Sequence, residues 1–131
     1  MIKEWLAVGL GGMLGAIARH WLCHLFSLAG PNWLPFATLT ANILGCLAIG
    51  VLFQWSAQQT IQNDWWVVAI RVGLLGGLTT FSSFALEIAR FMQSERFGTA
   101  IGLVFAHVVI GITATIIGLR WGAELAASPN T

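Results

Sequence analysis

Residues 66–94 read WVVAIRVGLLGGLTTFSSFALEIARFMQS. The run has 29 residues, so a continuous helix rising about 1.5 Å per residue would reach ~43 Å. The hydrocarbon core of a bilayer is only ~30 Å thick. At the centre of the run stands Gly76-Gly77-Leu78-Thr79-Thr80-Phe81-Ser82-Ser83-Phe84. Two glycines followed by β-branched and hydroxyl residues make a poor helix interior. Two readings are open. A break would leave backbone carbonyls without intrahelical partners in mid-membrane, which is tolerated only where they are buried in protein or meet an ion. A continuous helix would use the glycines as a packing ridge and bond its Ser and Thr hydroxyls back to the preceding turn.

The composition around this run leaves one environment. Hydrophobic residues are 57% of the 131 and charged residues 8%, against ~25% charged in an ordinary soluble domain; the mean hydropathy is +0.81. Six Lys+Arg against five Asp+Glu give a net charge of +1. A nucleic-acid partner is excluded, because phosphates demand a basic face. Disorder is excluded by the apolar content. A small soluble globule has much surface to cover and would have too few charges to cover it. The chain reads as an all-α integral membrane protein.

No Asp, Glu, Lys or Arg occurs from Trp5 to Ala18, His20 to Asn63, Val72 to Leu86 or Phe97 to Leu119. Breaks fall at Gly30-Pro31-Asn32, at the polar run Gln58 to Asp64, and at Gln93 to Arg96. A span needs ~20 mostly apolar residues. One four-helix membrane domain follows, with spans near 4–28, 36–55, 65–94 and 98–122. Trp33, Trp55, Trp65, Trp66 and Trp121 fall at the span ends, where amphipathic rings favour the interface. Lys3 and the stretch through Ala16-Ile17-Ala18 could pass for a cleavable signal. Apolar character continues to Leu28, however, and Gly11 and Gly15 are spaced for close helix packing, so the first span reads as retained. Cys23 and Cys46 have no Cys or His at metal-ligand spacing and read as small packing residues.

Small residues recur four apart in every span: Gly11/Gly15, Ala37/Ala41/Gly45, Gly73/Gly77, and Gly98/Gly102 with Gly118/Gly122. Such ridges let backbones touch. They exceed what four helices need, which suggests a homodimer; the alternative is that they serve the protomer alone. Lys3, Arg71 and Arg120 fall toward one side of the membrane, and Arg19, Arg90 and Arg96 toward the other. Such a balance gives no positive-inside bias. A chain without a bias could insert both ways, and oppositely inserted copies could pair about a two-fold axis in the membrane plane.

Polar groups inside the spans are costly and mark a pathway by default. Phe81 and Phe84 are three apart and share a helix face, with Thr80, Ser83 and Glu87 as an adjacent polar stripe. Asn42 and Thr38 are one turn apart on the second helix; His107 and Thr115 are two turns apart on the fourth. Ser and Thr often satisfy themselves on their own helix, and Phe is common in any apolar core. Asn42 and Glu87 are harder to explain as filler. Arg19 could snorkel to an interface.

Three segments carry a resemblance. Gly12-Met13-Leu14-Gly15-Ala16-Ile17-Ala18-Arg19 looks like the GxxGAxxR signature of the Fluc/CrcB fluoride channels. Thr38-Leu39-Thr40-Ala41-Asn42-Ile43-Leu44-Gly45 resembles their TLxVNxxG segment, and Gly76 to Phe84 resembles their GGxTTFSTF segment. The motifs come in family order and span nearly the whole chain. The resemblance implies a multi-pass protein of the bacterial inner membrane that exports cytoplasmic fluoride passively, as an antiparallel dual-topology homodimer with two pores. Phe81 and Phe84 match the paired pore phenylalanines and Asn42 the pore asparagine. Gly76 and Thr79 match positions whose carbonyls hold a structural Na⁺ at the dimer axis. Ser83, Thr38, Thr80, Glu87, His107 and Thr115 would form the polar side of the pore, and Arg19 its vestibule. Departures are Ala37 for the usual Gly, Ala41 for Val, Ser83 for Thr, His20 for Tyr, and His107 where a small polar residue is usual.

Two other classes compete. A dual-topology proton-coupled exporter wants a membrane-embedded carboxylate in its first helix, and Trp5 to Leu28 contains none. An intramembrane enzyme would show a Ser/His/Asp order, HExxH or paired carboxylates, and none is present.

Overall fold

The structure is a computed structural model and describes residues 1–127. Among them, four helical spans are long and apolar enough to cross a membrane: Ile2–Leu28, Pro31–Gln58, Trp65–Gln93 and Phe97–Ala127. We number the helices α1 (Ile2–Leu28), α2 (Leu34–Gln58), α3 (65–78), α4 (Phe81–Gln93) and α5 (Phe97–Ala127). A single 3₁₀ turn, Pro31–Trp33, leads into α2.

Helix α1 begins at Ile2 rather than near 4 and α2 ends at Gln58 rather than near 55; two further boundaries differ for local reasons. Helix α2 begins at Leu34 rather than near 36, because Pro35 sits in the first turn, where a missing N–H costs nothing. Helix α5 runs to Ala127 rather than ending near 122, since Ala123-Glu124-Leu125-Ala126-Ala127 contains only good helix formers.

The core is made of small residues. Helix α2 buries Ala37, Ala41, Gly45 and Gly50, while α5 meets it with Ala100, Gly111, Ala114, Gly118 and Gly122. Val67 and Ser56 are the largest fully buried side chains. The large apolar residues, among them Trp5, Leu10, Ile17 and Trp21 of α1, face outward. That is the arrangement expected in lipid, where burying Leu against Leu gains nothing over burying it in acyl chains and close backbone packing holds helices together.

Where α1 crosses α3 the two backbones are in contact. An ideal Cβ on Gly11 would stand 2.6 Å from the Ala69 carbonyl oxygen, and one on Gly73 2.5 Å from that of Val8. Helix α3 is itself irregular there. Trp65–Val68 and Leu75–Leu78 are α-helical, but Ala69–Leu74 between them is π-helical. Beyond Leu78, Thr79 and Thr80 have extended dihedrals (φ/ψ −83/154 and −153/124), and α4 starts at Phe81.

Candidate functional site

The extended pair Thr79–Thr80 is held from three directions. The Thr79 amide and its hydroxyl both donate to the Leu75 carbonyl, at 3.0 and 2.9 Å. The Thr80 amide donates to Asn42 Oδ1 at 2.8 Å, and Asn42 Nδ2 donates to the Thr80 carbonyl at 3.0 Å. The Thr80 hydroxyl oxygen caps α4 by accepting from the Ser83 amide at 3.2 Å. Asn42 thus pairs with both backbone groups of one residue as a neighbouring β-strand would, with one acceptor and one donor. Gly45, one turn further along α2, makes room for this arrangement: the γ-methyl of Thr79 lies where a Cβ on Gly45 would stand.

Helix α4 starts immediately after Thr80 and projects Phe81 and Phe84 from its first turn. Their ring centroids are 5.6 Å apart with the planes tilted by 55°. Phe84 also packs on the His107 ring of α5, 4.3 Å between centroids. His107 Nδ1 lies 2.9 Å from the Leu103 carbonyl oxygen. That oxygen can only accept, so Nδ1 carries the proton, and Nε2 is buried without a partner.

These residues line one open cleft of about 460 Å³. Asn42, Gly76, Thr79, Thr80, Phe81, Phe84 and His107 all contribute to its walls. Phe81 remains 78% exposed. Of the other residues singled out from the sequence, Ser83 sits beside the cleft with its hydroxyl 3.3 Å from that of Thr80. Thr38, 3% exposed, donates its hydroxyl to the Glu87 carboxylate. Glu87 lines a separate cavity nearer the first and third connections. Thr115 bonds its hydroxyl to the Gly111 carbonyl at 3.0 Å and is not among the cleft residues. Arg19 stands on α1, which lends no residue to the cleft, with Nε buried and unpartnered.

One cleft residue was overlooked from sequence. Arg71, in the π-helical stretch of α3, lines the same cleft. Its signal was available: an ionisable residue between apolar runs within a span is a functional candidate by default. Cys46 also lines the cleft, half-buried and free.

Known proteins place this chain. The family model described as CrcB-like protein, Camphor Resistance (CrcB), matches residues 6–119. A protein of Psychrobacter arcticus named fluoride-specific ion channel FluC is 40% identical over 116 residues, covering 88% of this chain and 93% of its own. Proteins of the same name from Caulobacter vibrioides and Escherichia coli K12 are each 38% identical, over 120 and 117 residues. These alignments cover 90% and 89% of this chain and 94% and 91% of the relatives. With four spans in the arrangement described and a match over nearly its full length, this chain belongs to the CrcB family.

Proposed function

We propose that this chain forms a passive fluoride channel of a bacterial membrane, built from two antiparallel copies with two pores. The observation that carries the reading is the cleft in which Asn42, Thr80, Phe81, Phe84 and His107 converge beside the extended pair Thr79–Thr80. The name of the relatives, fluoride-specific ion channel, agrees with it.

Fluoride is small and strongly hydrated. A narrow pore must replace its water with donors, and must not hold the ion so tightly that it fails to leave. Amides and hydroxyls supply donors without a full charge. The edges of aromatic rings carry partial positive charge, and the tilt between Phe81 and Phe84 can turn an edge toward a passing anion. Phe81, largely uncovered in one protomer, would find its cover in the second copy. Ser83, Thr38, Glu87 and Thr115 would continue the polar side, and Arg19 would attract anions at the vestibule.

The residues proposed for a structural Na⁺ fit that ion. In a continuous helix the Gly76 and Thr79 carbonyls accept from the amides of Thr80 and Ser83. Those amides donate here to Asn42 Oδ1 and Thr80 Oγ1. Both carbonyl oxygens therefore lose their helical donors, and hard cations take oxygen ligands of this kind. A bound Na⁺ would place positive charge at the dimer axis and offset repulsion between the anion and Glu87.

Fluoride efflux from liposomes holding the purified protein, with chloride as control, tests the reading. A fluoride gradient that dissipates only in protein-containing vesicles, with chloride retained, supports it. Fluoride retention under every condition overturns it.

A further inference from the structure

The second cavity, about 620 Å³, opens at the end of the bundle where the first and third connections meet. Its walls include Arg90 and Arg96, the aromatic pair Trp33 and Phe36, and Ser94 and Thr99. Trp33 and Phe36 pack at 5.4 Å between centroids. Neither guanidinium forms an ion pair or side-chain hydrogen bond among the described residues. Arg96 is held by its backbone instead. The amide of Arg96 donates to the Phe91 carbonyl at 2.8 Å and that of Glu95 to Met92 at 3.1 Å. This closes α4 in a Schellman turn with Glu95 at φ 59. The turn swings the Arg96 side chain back, so that its guanidinium carbon lies 4.8 Å above the Phe91 ring.

The site therefore holds two positive charges on the rim of a span, flanked by aromatic and apolar walls. We infer that it binds the phosphodiester headgroup of an anionic phospholipid, with the acyl chains running down the apolar flank. Guanidinium forks match phosphate oxygens in pairs, and basic pockets at span ends are suited to anionic headgroups. The ring pair argues for a lipid over a free anion, since Trp at a span end sits at headgroup depth. Glu87, the one carboxylate in the lining, already accepts from Thr38. The inference stands apart from fluoride conduction: it uses neither Phe81 nor Phe84, and its readout is bound lipid.

The test is native mass spectrometry of the purified full-length protein equilibrated with phosphatidylglycerol or phosphatidylcholine of matched chains. The expected result is retention of phosphatidylglycerol about tenfold over phosphatidylcholine. The preference should vanish in Arg90→Gln/Arg96→Gln and survive in Arg120→Gln, an exposed arginine at the opposite end of the bundle. Millimolar inorganic phosphate should leave the retained lipid in place. Equal retention of the two lipids by the wild-type protein overturns the proposal whether or not the double variant folds. So does a preference that persists in a folded Arg90→Gln/Arg96→Gln protein. Displacement of the lipid by inorganic phosphate would make the pocket a free-anion site and overturn it as well.

Discussion

Asn42 and Thr80 are separated by 38 positions in the chain, yet the amide of one side chain and the peptide of the other exchange two hydrogen bonds, at 2.8 and 3.0 Å. This pair joins α2 to the only extended backbone inside a span among the described residues, and it sets the direction in which α4 leaves. An unpaired peptide group in an apolar surround costs several kcal/mol, so the bonds are worth more than their net value in water.

Asn42→Ala removes the partners of both the Thr80 N–H and the Thr80 carbonyl at once. We expect a loss of about 1–3 kcal/mol in stability, read as a lower melting temperature in detergent. Asn42→Leu, similar in bulk, should destabilise at least as much, because bulk is not what is missing. An Asn42→Ala protein that melts with the wild type would show that water replaces the amide. Efflux should fall in both, less sharply if water does replace it.

Exchanging Phe81 for Ile separates packing from recognition. Phe81 is mostly exposed, so the substitution should change protomer stability by no more than about 0.5 kcal/mol. Ile retains bulk but lacks the ring quadrupole. Fluoride efflux is expected to be abolished in Phe81→Ile and abolished or nearly so in Phe84→Ile, with unchanged size-exclusion profiles. Wild-type flux from a well-folded Phe81→Ile/Phe84→Ile double variant would rule out an aromatic mechanism.

The neighbouring glycines 76 and 77 should respond oppositely to alanine. A Cβ on Gly77 would meet the Gly12 carbonyl and, at 3.1 Å, the Ala16 amide, so Gly77→Ala should push α1 off α3 at a cost of about 1–3 kcal/mol. A Cβ on Gly76 meets nothing within 4 Å in the protomer. Gly76→Ala should keep the fold, or gain up to about 1 kcal/mol from helix propensity. If Gly76 faces an ion shared with a second copy, the same variant should lose fluoride efflux and its Na⁺ dependence. Thermal melts of the two variants, read beside liposome flux with Na⁺ or a bulky organic cation, compare both expectations.

The balance of basic residues across the spans, three toward each side, predicts insertion in both orientations. A tag on either terminus should be reachable by impermeant reagents from both faces of the membrane. Labelling from one face only, in cells with verified integrity, refutes dual topology. Adding two lysines to the 59–64 connection should tip the population to one orientation.

The four spans were legible because charges are so few that their absence marks each crossing: His20 to Asn63 contains none, and the breaks at Gly30-Pro31 and from Gln58 onward bound the second span. The residues around Thr79 were legible as a poor helix interior, since glycines and β-branched residues lie together. The pairing of Asn42 with Thr80 was not, because nothing local in either segment specifies the other. The π-helical stretch Ala69–Leu74 was equally hidden. Its residues are ordinary helix formers except Gly73, and what singles them out is tertiary: the backbone of α1 presses against Gly73. Arg71 was weighed only as a topological charge, although its position inside a span already argued for more. Thr115 shows the reverse, a hydroxyl whose bond to its own helix was foreseeable.

The dependence of Thr80 on Asn42 also bears on the order of synthesis. Ribosomes deliver α2 to the membrane before residues 79–80 are made. The extended peptide thus enters a bilayer in which its partner is already standing, and it is never required to wait in lipid with its N–H and carbonyl bare. Were the order of these two segments reversed by circular permutation, the same contacts would be available at the end. The nascent chain would then have to hold an unpaired peptide in hydrocarbon until its partner emerged, and yield would suffer where final stability did not.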